Sequence, residues 1–139
     1  MVQCVRDIMT ATPVSVETGA LVTDVARLMR DEDIGVVLVT REDHLLGLVS
    51  DRDLVVRGLA EGSDPPQMTV ADLCTEEPIT VTPDDDLERA VALMRQHAIR
   101  RLPVVEGDAP VGVISIGDLA MEIDRKSALG DISSASPNI

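Results

Sequence analysis

Two seven-residue segments carry the residue types that recognise a phosphorylated sugar. Both follow the pattern Gly-x-x-Ser-x-x-Asp, at residues 47–53 and 112–118. In each, a strand is predicted to end at the serine and a helix to begin there, so the aspartate lies one turn into the helix. Helix N-terminal amides and a serine hydroxyl donate to phosphate, and a carboxylate accepts hydrogen bonds from the vicinal diol of ribose. The glycine would let a ligand approach the backbone closely.

The same residues also fit a structural role. Ser-x-x-Asp is a helix-capping arrangement, in which each side chain bonds the other residue's backbone amide. The ligand-binding interpretation is favoured because glycine, serine and aspartate occupy the same positions in two segments that otherwise differ. Both interpretations stay open on the sequence alone.

The two segments belong to a longer duplication. Residues 7–54 and 72–119 align without a gap at a constant offset of 65, and 14 of the 48 aligned positions are identical. A repeat of this length indicates one supersecondary unit written twice. A pseudo-two-fold axis between the copies would place a shared cleft at their junction, where we expect function.

Hydrophobic periodicity assigns the same elements to each copy. In the first copy we predict a helical turn at residues 7–9, a strand at 14–16, a helix from Leu21 with Thr18 as its N-cap, strands at 34–40 and 45–49, and a helix from Ser50 to Gly62. In the second copy we predict a helix that starts at residues 82–86 and ends near His97, strands at 102–105 and 111–114, and a helix from Ser115. The expected fold class is α/β (α+β), with two tandem β-α-β-β-α repeats in one compact module.

Turn-rich and serine-rich stretches mark the expected domain boundaries. The stretch around Gly62 contains two consecutive prolines, and the chain becomes serine-rich near its C-terminal end. We predict repeat 1 at residues 5–62, a linker at 63–69, repeat 2 at 70–124 and a disordered tail at 125–139.

Composition argues against several classes of function. The 139 residues carry a formal net charge of −13, which repels nucleic acid and anionic membrane surfaces. Phe, Tyr and Trp are absent, so the core must be aliphatic and no aromatic ring is present to stack on a base. No apolar run could span a membrane and residues 1–9 lack a signal core, so we expect a cytoplasmic protein with no membrane or nucleic-acid partner. Cys4 and Cys74 are interpreted as free thiols.

No motif in the sequence assembles a catalytic or metal centre. We find no P-loop, no His-Glu-x-x-His, no nucleophile elbow and no set of nucleophile, base and oxyanion donors. His44 and His97 lack metal-ligand spacing to each other or to the cysteines. The acidic run at 84–86 is better explained by the positive end of a helix dipole than by a cation site. We therefore predict no enzymatic activity, no catalytic residues and no bound metal.

The tandem repeats resemble a pair of CBS (cystathionine β-synthase) domains, together called a Bateman module. The resemblance covers about residues 5–124 and rests on the Asp-(Ile/Leu)-(Met/Cys)-Thr start, the Pro-x-(Ser/Thr)-Val strand, the segment 99–105 and the two Gly-x-x-Ser-x-x-Asp frames. It implies a regulatory module that binds AMP, ADP, ATP, S-adenosylmethionine or a related adenosyl compound in the cleft between the repeats. It implies no required cofactor.

The resemblance also implies roles for individual residues. Two carboxylates would hold the ribose hydroxyls, Asp53 and Asp118. The phosphates would be contacted by two serines and two arginines, namely Ser50, Ser115, Arg100 and Arg101. The base would lie in an apolar slot beside the first strand of a repeat, formed by Pro13, Val14, Val16, Pro78, Ile79 and Val81. Surface ion pairing is the alternative role for the two arginines.

The first repeat departs from this pattern. It has Gly35 and Val36 where the second repeat has Arg100 and Arg101. Arg52 is a candidate for partial compensation, and the alternative, a solvated helix residue, is favoured for it. We therefore expect asymmetric sites, of which at most one binds phosphates well.

The helix after each frame is more apolar than one buried face requires. The surplus residues are Leu54, Val55, Val56 and Leu59 in the first helix and Leu119, Ala120, Met121 and Ile123 in the second. Such a surplus favours self-association, and the family resemblance implies that two modules pair as a homodimer. Core packing alone is the alternative explanation of the surplus. Since no catalytic or DNA-binding domain accompanies the repeats in this chain, we expect its output to pass through a separate partner protein.

A second hypothesis comes from residues 50–65. This segment resembles the small two-repeat hypoxic response proteins of actinobacteria. That resemblance implies a stress-induced dimeric scaffold with no committed nucleotide, and the half-missing basic pair agrees with it.

Overall fold

The computed structural model describes residues 4–62 and 67–123, which form two compact units. The first unit contains residues 13–62, 67–78 and 107–110, and the second contains residues 4–12, 79–106 and 111–123. Each unit packs helices against a β-sheet around an aliphatic core. The predicted mixed α/β fold class is confirmed.

The described elements follow one another in the order that the duplication predicts. They are a 3₁₀ turn (Val5–Asp7), β1 (Thr10–Ala11), β2 (Ser15–Glu17), α1 (Val22–Glu32), β3 (Val36–Arg41), β4 (His44–Ser50), α2 (Asp51–Asp53), a π-helix (Leu54–Leu59), a second 3₁₀ turn (Val70–Asp72), β5 (Thr75–Glu76), α3 (Leu87–His97), β6 (Arg101–Glu106), β7 (Ala109–Ser115) and α4 (Ile116–Ile123). The predicted hairpin strands and the end of the α3 helix are confirmed to within about two residues, which is the usual uncertainty of such boundaries.

The first unit is built on a four-stranded sheet in the order β2-β3-β4-β5. Strand β2 runs parallel to β3, and β4 is antiparallel to both β3 and β5. The β3–β4 turn has positive φ angles at Glu42 and Asp43, of 52° and 66°, which suit the right-handed twist of a hairpin. Helix α1 buries one face on this sheet through Val22, Val25 and Met29.

The second unit is built on a three-stranded sheet in the order β1-β7-β6. Helices α3 and α4 belong to this unit, and α3 buries Ala90 and Met94 in the core. The other buried core residues are Val5, Val81, Leu102, Val104, Ile114 and Leu119. Aliphatic packing alone therefore fills both cores, as the absence of aromatic residues requires.

The opening segments of the two repeats are exchanged between the units. Residues 4–12 open repeat 1 but belong to the second unit, where β1 pairs with β7. Residues 67–78 open the second repeat but belong to the first unit, where β5 pairs with β4. Each unit is therefore completed by a segment from the other repeat's sequence.

The predicted helix starts were wrong in detail. Leu21, not Thr18, is the N-cap of α1, and it makes no side-chain capping bond. In the second repeat Asp86 is the N-cap of α3, and its carboxylate accepts a hydrogen bond from the Arg89 amide at 2.8 Å. Residues 82–85 form a separate turn before the helix, in which the Thr82 amide donates to the Asp85 carboxylate.

Two predicted elements take a different form. The first strand of the second repeat, which the family resemblance implies at the slot residues 78–81, is reduced to one parallel bridge between Val81 and Val104. The long helix expected from Ser50 becomes the three-residue α2 followed by the π-helix, in which the Ala60 amide donates to the Val55 carbonyl. Most of the predicted linker, at residues 63–66, and all of the predicted tail lie outside the described residues.

The two frame glycines face a neighbouring strand rather than a ligand. A Cβ at Gly47 would strike the Thr75 carbonyl of β5, and one at Gly112 would lie 2.9 Å from the Thr10 carbonyl and 2.7 Å from Met9 Sδ. The expectation that these glycines admit a ligand is therefore corrected: they admit the backbone of the exchanged segment.

We predict that Gly47→Ala destabilises the fold because its methyl group has no space against the β5 backbone. The expected loss in the free energy of unfolding is about 1–3 kcal/mol, as for other overpacked sites. Gly19→Ala is the matched control, since a Cβ there meets no atom within 4 Å. Urea denaturation of both variants checks this, and an equal effect of the two would contradict it.

Candidate functional site

The corner at Ser50 is closed by two reciprocal hydrogen bonds. The Ser50 amide donates to Asp53 Oδ2 at 2.8 Å, and the Asp53 amide donates to Ser50 Oγ at 3.1 Å. Both residues are half-buried. The capping interpretation of the frame is therefore realised here.

The corner at Ser115 has the same geometry in the other unit. The Ser115 amide donates to Asp118 Oδ2 at 2.9 Å, and the Asp118 amide donates to Ser115 Oγ at 3.1 Å. In each box the serine oxygen accepts, so its own proton is still available to donate. Each carboxylate uses Oδ2, and a carboxylate has about four lone-pair positions for acceptance. Capping therefore orients these groups without exhausting them.

The first-turn amides of the first unit are occupied by protein acceptors. The Asp51 amide donates to the Gly35 carbonyl at 2.9 Å, and the Arg52 amide donates to the Asp51 side chain at 2.8 Å. With the Asp53 amide held by Ser50, all three are bonded internally. The free amides that the sequence predicted for an anion are not available at this corner.

The second unit keeps the equivalent of the first of these backbone bonds and differs in its side chains. The Ile116 amide donates to the Arg100 carbonyl at 2.8 Å, which holds the backbone of the basic pair beside the Ser115 corner. Ile116 and Gly117 replace Asp51 and Arg52, so no side-chain carboxylate stands at the first helical position.

Charge therefore separates the two corners. Segments 33–36 and 51–53 of the first unit carry three carboxylates and one guanidinium. The equivalent segments 98–101 and 116–118 carry two guanidiniums and one carboxylate. Arg100 is exposed and Arg101, at the start of β6, is half-buried. The difference in charge between the corners thus extends beyond the basic pair.

Sheet register places the predicted base slot of the first unit at the same end of the sheet as the Ser50 corner. Ser15 pairs with Leu38 in the parallel β2–β3 ladder, and Val36 pairs with Ser50 in the antiparallel β3–β4 ladder. Pro13 is therefore level with Val36. Pro13 and Ser50 are separated by two strand spacings, a distance of about 10 Å. Pro13, Val14 and Val16 are all half-buried.

The slot residues of the second repeat are divided between the two units. Pro78 belongs to the first unit, whereas Ile79 and Val81 belong to the second. Val81 is only 1% exposed, and its backbone bonds Pro103 and Val105 at 3.1 and 2.9 Å. Its side chain is thus part of the core, while Ile79 is half-buried beside that core.

Other chemically active side chains remain dispersed. Across residues 4–62 and 67–123 there is no group of three or more His, Cys, Asp and Glu that could hold a metal ion. His44 Nδ1 lies 3.4 Å from Asp108 Oδ2, with both side chains exposed. Burial raises the pKa of the Cys74 thiol, which keeps it protonated. No helix in the described part of the chain is long and apolar enough to cross a membrane.

Comparison with protein families identifies the repeats. The CBS domain model matches residues 5–58 and 70–125. The chain belongs to the CBS domain family. CBS domain pairs are generally regulatory, ligand-binding modules, and the predicted family membership is confirmed.

The related proteins include small CBS proteins of bacteria. The CBS domain-containing protein YhcV of Bacillus subtilis is 35% identical over 125 residues, which cover 89% of each chain. Hypoxic response protein 1 of Mycobacterium tuberculosis is 33% identical over 119 residues, covering 85% of this chain and 83% of that protein. A crystal structure of Hypoxic Response Protein I contains two coordinated zinc ions and matches this CBS chain with a TM-score of 0.77, over 84% of this chain and 96% of that one.

A more distant structure shares the fold. It is a CBS domain pair in complex with 5′-methylthioadenosine and S-adenosyl-L-methionine, with a TM-score of 0.81 at 20% identity. The likeness covers 91% of this chain and 100% of that chain. It shows that both proteins have the same CBS-pair fold.

We predict that loss of either capping carboxylate destabilises its own unit. Asp53→Ala and Asp118→Ala should each lower the free energy of unfolding by about 1 kcal/mol, because an amide loses its cap. The matched controls are Asp53→Asn and Asp118→Asn, whose amide oxygen still accepts that bond and should retain most of the stability. Thermal denaturation tests this; equal losses for Ala and Asn would contradict the capping role.

Proposed function

We propose that this CBS pair is a non-enzymatic sensor of an adenosyl compound, with a phosphorylated ligand bound at the Ser115 corner. Membership of a regulatory family supports the general role. The adenosyl ligands held by a CBS pair of the same fold support the ligand class. The charge difference between the two corners carries the assignment of the phosphorylated ligand to the second unit.

The ribose would be held by the capping aspartate. Asp118 accepts a hydrogen bond from the Ser115 amide, so its carboxylate is already fixed in one rotamer when a ribose binds. Hydrogen bonds to an ionised acceptor contribute about 1.5–3 kcal/mol each. In this proposal one carboxylate caps the helix and contacts the ribose at the same time.

The phosphates would be held by the basic pair and the serine. Arg100 and Arg101 present guanidinium groups, whose donors suit phosphate oxygens, and Ser115 retains its hydroxyl proton. At the Ser50 corner the Asp51 carboxylate would repel the same group. We therefore propose that the first unit takes an uncharged or cationic adenosyl compound, such as S-adenosylmethionine.

The base would lie against aliphatic side chains. Pro13 and Val14 in the first unit, and Ile79 in the second, are half-buried residues beside the first strand segment of a repeat. With no aromatic residue in the chain, apolar contact must replace ring stacking. Backbone groups would supply the selectivity for adenine.

Output would pass through protein association. Val55, Val56 and Leu59 on the π-helix are 56%, 41% and 62% exposed, which supports a homodimer with a second copy of this apolar face. A ligand signals only if it binds one arrangement better than another, so a separate partner must distinguish those arrangements. Two unpaired cysteines support a reducing compartment, and we propose the cytoplasm.

We expect calorimetric titration to show saturable binding of AMP, ADP or ATP that depends on the second corner. Asp118→Ala should weaken this binding at least tenfold, because charged hydrogen bonds to ribose are lost. Asp53→Ala is the matched control: it loses the same type of cap and should keep the affinity for the nucleotide within about twofold. Equal weakening by both variants would contradict the assignment.

The phosphate role has its own test. Arg101→Ala should abolish the preference for ATP over adenosine and reduce the salt dependence of ATP binding, since a guanidinium–phosphate contact is lost. Arg27→Ala removes an exposed arginine from α1 of the first unit and should change neither. An unchanged preference in Arg101→Ala would remove the phosphate role from that residue.

A stress-response scaffold without a nucleotide is the second candidate. The fully occupied amides of the Ser50 corner favour it, because they serve the fold alone there. The similarity to hypoxic response protein 1 also favours it. Absence of binding with AMP, ADP, ATP, 5′-methylthioadenosine and S-adenosylmethionine would select this candidate over the sensor.

A further inference from the structure

Gly117, the second residue of α4, meets no structural requirement for glycine. Among the described glycines, Gly62 and Gly107 have positive φ angles and Gly117 does not. It also lacks the close backbone contact that requires glycine at Gly47 and Gly112. Glycine weakens a helix relative to alanine because it loses more backbone freedom on folding. The second unit therefore begins its helix with a residue that neither backbone conformation nor packing demands.

The space that a side chain would occupy at this position lies beside the Ser115 hydroxyl. A Cβ built at Gly117 would lie 3.6 Å from Ser115 Oγ and would meet no other described atom within 4 Å apart from its chain neighbours and the helix backbone. Because that oxygen accepts from the Asp118 amide, its own proton remains available to a ligand. The absence of a side chain thus leaves this face of the hydroxyl open.

Hydrogen bonds on both sides hold the backbone at this position. The Ile116 amide donates to the Arg100 carbonyl at 2.8 Å, and the Asp118 amide donates to Ser115 Oγ at 3.1 Å. The Cβ of any other residue at 117 would therefore stay beside the hydroxyl unless one of these bonds broke. Access to the hydroxyl consequently depends on the size of the residue at 117.

The first unit has a side chain at the equivalent position. Arg52 aligns with Gly117 in the repeats, and its amide donates to the Asp51 carboxylate at 2.8 Å. The bonds of the two capping boxes agree to within 0.1 Å, so the Arg52 side chain starts equally close to Ser50 Oγ. The first corner thus has a guanidinium side chain beside its serine, and the second has open space.

We propose that Gly117 determines specificity for phosphate at the second corner, because it leaves the Ser115 hydroxyl open to a phosphate oxygen. This inference rests on the proposed function. At the first corner Arg52 would close the equivalent hydroxyl to a group as large as phosphate, although its charge attracts anions. Access and charge therefore predict opposite effects of Gly117→Arg: added charge alone would strengthen phosphate binding, and lost access would weaken it.

Calorimetric titration with ATP and with adenosine separates access from charge. Gly117→Arg and the uncharged Gly117→Val should each weaken ATP binding about tenfold, because the bond from the hydroxyl to phosphate is lost, and should leave adenosine binding within about twofold. Gly19→Arg adds the same charge to open space in the first unit and should leave ATP binding within about twofold. If the wild type binds ATP and Gly117→Arg binds it as well or better, the inference is overturned and the proposed function stands.

Thiol alkylation measures access without a nucleotide. In a Cys4→Ala, Cys74→Ala background, adding Gly117→Arg to Ser115→Cys should slow the reaction with iodoacetamide about fivefold, although a nearby guanidinium alone would favour the thiolate and speed it. Adding Arg52→Gly to Ser50→Cys should speed the reaction, because the thiol is uncovered while a positive charge is lost.

The two measurements fail in different ways. Rates that follow charge, faster with Gly117→Arg and slower with Arg52→Gly, would overturn the inference even if nucleotides bind. Thermal denaturation should show Gly117→Arg to be at least as stable as the wild type; a marked loss would assign the glycine to the fold and would also overturn it. If the wild type binds no nucleotide, the proposed function falls, and the thiol rates still decide whether residue 117 controls access to the serine.

Discussion

Two close approaches between backbones determine where the two capped corners lie. Gly47 admits the Thr75 carbonyl, and Gly112 admits the Thr10 carbonyl, at points where any side chain would prevent strand pairing. These pairings fix β4 and β7 relative to the exchanged segments. Ser50 and Ser115 end those strands. The position of each corner therefore depends on a contact between a glycine and a main-chain oxygen.

At the corners, the atoms that cap the helix are the same atoms that are proposed to bind a ligand. Each serine oxygen accepts from an aspartate amide, and each aspartate oxygen accepts from a serine amide. A side chain held in this way loses little further rotamer entropy when a ligand arrives. Capping and recognition are therefore compatible, and the hydrogen bonds alone do not choose between them.

Sequence periodicity predicted the elements whose signals are local. Strands β3, β4, β6 and β7 and helices α1 and α3 have clear apolar patterns, and the repeated Gly-x-x-Ser-x-x-Asp frame located both corners. The exchange of opening segments was not predictable in this way, because two-residue strands such as Thr10–Ala11 carry no periodicity. The glycine role was wrong for the same reason: its neighbour is a backbone far away in sequence, which no local pattern reveals.

The corner chemistry was only partly accessible from sequence. The presence of Arg100 and Arg101 in one repeat only was enough to predict a difference in charge between the corners. That the amides of Asp51 and Arg52 are already hydrogen-bonded could be learned only from atomic positions. Likewise Val81 matches the family's slot position, yet it is 1% exposed, since its bridge to Val104 draws it into the core.

The similarity of the two backbones makes side-chain charge the property that distinguishes the sites. Both α1 and α3 end in a left-handed residue, at φ 54° for Asp33 and 53° for Ala98. The two capping boxes agree to within 0.1 Å in each bond. Since the corner geometry is shared, the proposed difference in ligand class depends on the residues around each corner. Duplication thus preserved the frame, and substitutions beside the frame changed the charge at each corner.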